Sequence, residues 1–259
     1  SDVQFQDSLL NVLRDSLTNA NSQVRLCTLQ LFHAALQHSD RSTLSSKILP
    51  ALITLASDDD VTVRIATIAV FGSIIVHCSE LDILERVYSQ FQMFDSDPKF
   101  RDEYHTHVEM IKTFTHIAPH VESKFQEDFI LPYLAATASQ NNQQQRETKR
   151  LETAIYLFEA YSALSCCFHS VESLQNSFLP GLYCLRSDFA QLRPDHVAVI
   201  DSITKDLENK LELNRPDGST LIGNFSSTFN QENLRGRMLN QFSNLRDSTA
   251  RITRFMKKK

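Results

Sequence analysis

Few residues in this chain stand at spacings that support chemistry together, and each such group has a competing structural explanation. His105 and His107 are two apart, so on a helix they point about 200° apart and cannot hold one metal ion between them. His116 and His120 have the i, i+4 spacing of two ligands on one helix face, but Pro119 lies between them and is expected to end that helix. A surface or capping role follows. Asp58-Asp59-Asp60 offers carboxylates as a cation site does. A solvated turn, with one carboxylate near the N-terminus of the next helix, is the expected arrangement. Cys166 and Cys167 are adjacent at an expected helix end, with no base placed next to them, and are read as core-filling thiols rather than a redox pair.

The glycine-dependent catalytic motifs are missing too. The sequence holds no Gly-x-Gly-x-x-Gly, Walker loop, His-Glu-x-x-His or Gly-x-Ser-x-Gly, and only 5 glycines. Average usage of about 7% would supply roughly 18, so phosphate-cradling loops and glycine-rich β turns have little to be built from. No catalytic, cofactor or metal residues are expected.

What the chain does show is repetition. Val24-Arg25 and Val63-Arg64 lie 39 residues apart, each after a leucine-bearing run (Leu13 to Leu17, Leu52 to Leu55) and a polar turn. Leu-Pro recurs beside them as Ile48-Leu49-Pro50, Ile130-Leu131-Pro132 and Phe178-Leu179-Pro180. A period near 40 to 47 is that of HEAT and armadillo arrays, in which one helix pair cannot bury its apolar faces until neighbours stack on it. The expected fold is all-α, a right-handed α-solenoid of five HEAT-like helix pairs over residues 1–213. The pairs fall near 3–18 and 22–38, 42–57 and 61–77, 81–95 and 102–118, 126–139 and 147–168, and 174–189 and 195–213. Pro50, Pro132 and Pro180 are expected to open first helices. Phe32, Phe71, Phe114 and Phe158 are expected at equivalent buried places. Arg25 and Arg64 either face a partner or bridge turn carboxylates of adjacent repeats.

The helix from Ile65 to Val76 is apolar nearly all round. Ile65, Ala69, Gly72 and Val76 form its face opposite Thr67 and Phe71, read either as mid-array burial or as a partner-binding patch. Beyond the array, 214–230 reads as a turn-rich linker. Residues 231–259 carry eight Lys/Arg against Glu232 and Asp247, a net +6, while the rest of the chain is −11. Met238, Phe242, Leu245, Thr249, Ile252 and Met256 recur there in steps of four and three, with Phe255 alongside, as one stripe of a basic amphipathic helix. Gly236 and the short length make that helix marginal alone, so Met238, Phe242, Leu245, Ile252 and Phe255 are expected to dock on the array, a second copy, a protein partner or an anionic membrane. An acidic array with aromatics at core spacing argues against nucleic acid. The five cysteines include no Cys-x-x-Cys, and four lie in apolar helical stretches, which fits a reducing, cytoplasmic setting. The longest apolar run, 65–78, falls short of the ~20 residues of a membrane span. A start without methionine suggests a fragment of something longer.

The stretch Arg150-Leu151-Glu152-Thr153-Ala154-Ile155-Tyr156-Leu157-Phe158-Glu159-Ala160-Tyr161-Ser162-Ala163-Leu164-Ser165-Cys166-Cys167-Phe168 is followed by Phe178-Leu179-Pro180-Gly181-Leu182 and Cys184-Leu185-Arg186-Ser187-Asp188. Together they resemble the C-terminal HEAT region of the RELCH family, as does 49–72, and the likeness extends over about 1–213. The resemblance implies a peripheral cytoplasmic protein of recycling endosomes and the trans-Golgi network. In that family an N-terminal LisH motif and a coiled coil precede these repeats. The expected partners are a Rab GTPase of recycling endosomes and oxysterol-binding protein, with which cholesterol is moved to the trans-Golgi network. It implies no enzyme activity and assigns no individual contact residue.

Overall fold

The structure, a computed structural model, describes residues 11–213 apart from Asp102 and Phe168. Residues 11–15 are helical and end in a 3-10 turn, Ser16–Thr18. Five further helices are uninterrupted: α1 (Ser22–Leu36), α3 (Val61–His77), α4 (Leu81–Ser96), α5 (Tyr104–Ile117) and α7 (Glu147–Leu164). Three more, α2 (41–56), α6 (123–141) and α8 (171–192), are each built of an α turn, a π turn and a longer α segment, and α9 (Val197–Leu213) ends the array. No strand occurs among the described residues. The described residues form an all-α solenoid: α1, α3, α5 and α7 pack side by side in that order, and the alternate helices cover their backs.

Polar turns start the helices as their residue types dictate. Asn21, Asp60 and Glu103 each accept the backbone N–H two residues on, at 2.9, 2.8 and 3.2 Å, which satisfies one of the unpaired donors of the first turn. Asp40 and Ser170 do the same for the N–H groups of Thr43 and Ser173.

The Leu-Pro motif lies elsewhere than expected. Pro50, Pro132 and Pro180 do not open helices; each sits well inside one. Proline has no N–H to donate, and its ring presses on the carbonyl four residues back. The chain answers by widening one turn: Leu49, Leu131 and Leu179 donate to carbonyls five residues back, those of Leu44, Gln126 and Leu174. The π turns Leu44–Ile48, Gln126–Ile130 and Leu174–Phe178 are therefore the structural signature of that motif. The expected third pair has no Leu-Pro, and α4 runs without a π turn.

Phe32, Phe71 and Phe114 are each the eleventh residue of their helix and Phe158 the twelfth; all four are buried, as the repeat register requires. Rings link the layers. Phe71 lies 6.1 Å from Phe94, Phe94 lies 6.4 Å from Phe91, Phe91 lies 5.5 Å from Phe114, and Phe114 lies 5.5 Å from Tyr133. One aromatic series thus runs from α3 to α6. Two glycines allow closer approach than any other residue. A Cβ on Gly72 would meet Thr113 Cγ2 at 2.5 Å, and one on Gly181 would collide with the hydroxyl of the fully buried Tyr161.

Candidate interaction surface

Parallel helices in register make one continuous face of α1, α3, α5 and α7. His33 Nε2 lies 2.7 Å from Ser73 Oγ, Tyr104 donates to Glu152 at 2.8 Å, and Lys112 Nζ stands 5.8 Å from the Tyr156 ring centroid. The half-buried and exposed residues along the face include Ile65, Ala69 and Val76 of α3, His105, Glu109, Lys112 and His116 of α5, and Glu152, Tyr156 and Glu159 of α7. The face grades from apolar on α3 to charged on α5 and α7.

Of the apolar residues expected there, Ile65, Ala69 and Val76 are half-buried. Gly72 is buried under Thr113 of α5, so it contributes close helix packing and offers no surface to a partner. Lacking a side chain, it lets α5 approach where a larger residue would hold it off. Met238, Phe242, Leu245, Ile252 and Phe255 lie outside the described residues.

On the charged side, Lys112 donates to Glu109 at 3.0 Å. Burial works against its ammonium, but the Glu109 contact outweighs that and holds the group above its ordinary value. Tyr104 is pushed up by burial and by donating to Glu152, and Lys149 Nζ sits 4.3 Å over its ring. His105 Nδ1, 2.9 Å from Glu103, holds that carboxyl below the usual range.

The groups with candidate chemistry disperse. His105 turns to Glu103, whereas His107 Nδ1 is 2.7 Å from the Tyr133 hydroxyl, so the two histidines serve different neighbours. α5 ends at Ile117, before Pro119, and His116 and His120 are both exposed. Asp60 caps α3, and Asp58 receives Arg25. No three metal-ligating side chains cluster among the described residues. The cysteines depart from the expected core-filling role: Cys166 and Cys27 are exposed and Cys167 is half-buried, so Cys166 fills no core. It lies beyond the end of α7, past the last position whose side chain is enclosed. Burial pushes the Cys167 thiol up, away from the reactive thiolate.

Arginines tie the repeats together. Arg25 makes two bonds to Asp58 in the next turn, at 2.7 and 2.8 Å, the bridge expected of it. Arg64 instead bonds the carbonyls of Asp58 and Asp59 in its own turn and stacks on Phe100 at 5.3 Å. A third member, Arg150, had not been anticipated. Its Nε donates to Asp188 Oδ1 at 2.6 Å and its Nη1 to Gln191 at 2.9 Å, while Asn141 donates to the other Asp188 oxygen at 2.7 Å. Arg25, Arg64 and Arg150 are each the fourth residue of their helix, a recurrence present in the sequence.

The described residues form a stacked helical array whose face on α3, α5 and α7 grades from apolar to charged, the extended kind of surface that solenoids present. The chain belongs to the RELCH family: the model of the RAB11-binding protein RELCH C-terminal domain matches residues 1–206. The chain is similar to the RAB11-binding protein RELCH of Homo sapiens and to the RELCH homologs of Xenopus tropicalis and Danio rerio, at 37% identity in each case. Those matches cover 98% of this chain but only 21% of each relative, so the chain spans about one fifth of the relatives' length. No helix among the described residues is long and apolar enough to cross a membrane.

Proposed function

We propose that this chain is a non-enzymatic scaffold region that binds a Rab GTPase of the RAB11 class through the face of α3, α5 and α7. The observation that carries the reading is the half-buried apolar stripe of Ile65, Ala69 and Val76 bordered by the charged residues of α5 and α7. An apolar centre with a polar rim is the usual anatomy of a protein interface. Relatives named for RAB11 binding, matched over nearly the whole chain, supply the partner class. By the same relationship, the proposal extends to a peripheral cytoplasmic role on recycling endosomes and the trans-Golgi network, in which oxysterol-binding protein joins to move cholesterol. That extension rests on the family resemblance alone.

A second reading makes the region a membrane-contact module. It is supported by the +6 charge of residues 231–259, since each Lys or Arg near an anionic surface contributes about 1 kcal/mol. Pull-down of the full chain with GTP-locked and GDP-locked Rab proteins tests the first reading against the second. Capture of the GTP form of a RAB11-class protein, without lipid, is the expected result. No capture of either form, with co-sedimentation on anionic but not neutral vesicles, would replace the first reading with the second.

A further inference from the structure

The two ends of the described array differ in kind. Between 201 and 210 the exposed residues of α9 are Asp201, Ser202, Lys205, Asn209 and Lys210, all polar. A polar outer face is what closes a repeat array, because it gains nothing from a further layer. α1 presents the opposite. Val24, Cys27, Leu31 and Ala34 are exposed on it at helical spacing, and the helix contains no Asp, Glu or Lys. Its one arginine, Arg25, is turned to Asp58. An apolar side depleted of charge is the composition of an interface core.

The repeat register identifies what such a side meets. Val24, Cys27, Leu31 and Ala34 are the third, sixth, tenth and thirteenth residues of α1, and in α3 those places hold Val63, Ala66, Val70 and Ser73. In the later layers this side faces the preceding helix. Ser73 of α3 lies 2.7 Å from His33 of α1, and Thr113, the tenth residue of α5, packs where a Cβ on Gly72 of α3 would be. Accordingly Val63 and Val70 are 0% and 3% exposed, whereas Val24 and Leu31, at the same places in α1, are 36% and 50% exposed. α1 therefore carries the surface of a middle layer.

We propose that the outer side of α1 stacks against a further HEAT-like helix pair, supplied in cis by the sequence that leads into this domain in RELCH proteins. The matching family model is that of a C-terminal domain, and only 21% of each relative is matched, which leaves about four-fifths of its length for repeats of about 40–47 residues. The contact continues the interface of α1 with α3 one layer earlier. A second copy stacked head to tail would set the polar side of α9 against this apolar one, a poor match. The proposal stands apart from the Rab assignment.

Maleimide labelling of Cys27, read peptide by peptide in a mass spectrometer with exposed Cys166 as reference, tests the stacking. In the 259-residue chain Cys27 is expected to label within a few-fold of Cys166 at any protein concentration. In the full-length RELCH protein that carries this domain it should label at least tenfold more slowly, and a version extended upstream by only ~50 residues, one repeat, should retain that protection. Leu31→Glu should restore fast labelling in the full-length protein while leaving the midpoint temperature of the 259-residue chain unchanged. Equal Cys27 rates in the short and full-length proteins would overturn the proposal. So would protection that appears in the short chain as concentration rises, which marks a second copy, or protection that the one-repeat extension does not supply. Equal loss of stability from Leu31→Glu in the short and full-length proteins would overturn it as well, by placing Leu31 in the array's own core.

Discussion

Phe71→Ala is expected to destabilise the array by about 3–5 kcal/mol, a fall in midpoint temperature on the order of 10 °C. The ring is fully buried in α3 and begins the aromatic series through Phe94, Phe91 and Phe114 to Tyr133. Removing it leaves a cavity at the layer through which the second pair holds the third. In a stacked array each repeat is stabilised mainly by its neighbours, so the loss should also loosen α5. Urea unfolding followed by circular dichroism reads the change, and Phe71→Leu should recover a large part of it. An unchanged midpoint in Phe71→Ala would contradict the repeat register.

Arg150→Ala is expected to cost a comparable amount, about 3–5 kcal/mol at neutral pH, because it strands a buried carboxylate. Asp188 has 0% of its surface exposed, and Arg150 itself is nearly enclosed. Burial pushes the Asp188 carboxyl above its ordinary value, with Arg150 and Asn141 working in the opposite direction. A raised native value means the folded chain holds that proton more tightly than the unfolded chain. The stability Asp188 contributes is therefore fully present below the unfolded value of about 4 and is lost as pH rises through the native one. Without Arg150 the native value climbs further and the window widens, so Arg150→Ala should be more damaging at pH 7.5 than at pH 5. Pairing Arg150→Met with Asp188→Leu removes both charges and should restore most of the loss. If Arg150→Ala is equally mild at both pH values, Asp188 is hydrated and the buried tie is not there.

The large-scale order of this fold was legible because it depends on periodicity. The helix boundaries follow polar turns such as Ser57 to Asp60, and Phe32, Phe71, Phe114 and Phe158 mark one register. What periodicity does not carry is how a helix adjusts its own hydrogen bonds. Leu-Pro looks the same whether proline opens a helix or is accommodated within one by a π turn, and α2, α6 and α8 do the second. Pairwise contacts were only partly legible. Arg25 meets Asp58 as charge and spacing suggested, but Arg64, at the equivalent place, finds nearer carbonyls, and the Arg150 tie needed the fourth-residue recurrence to be noticed. The face of Ile65, Ala69, Gly72 and Val76 was open to two readings, mid-array burial or a partner patch, because a helix that is apolar all round does not say which side a neighbour takes. At Gly72 it is burial, since α5 packs where a Cβ would be.

Ile65→Glu most directly tests the proposed binding of a GTP-state Rab protein by the face of α3, α5 and α7. Isothermal titration of the RAB11 GTP form into this variant and into Glu85→Lys, an exposed change on α4 behind that face, compares the two sides of the array. The expected result is a loss of affinity of about tenfold or more for Ile65→Glu, as when a central contact of about 1.4 kcal/mol or more is removed. Glu85→Lys should bind as the unaltered chain does, and both variants should melt within about 2–4 °C of it. Undiminished binding by a folded Ile65→Glu, or a loss confined to Glu85→Lys, would contradict it.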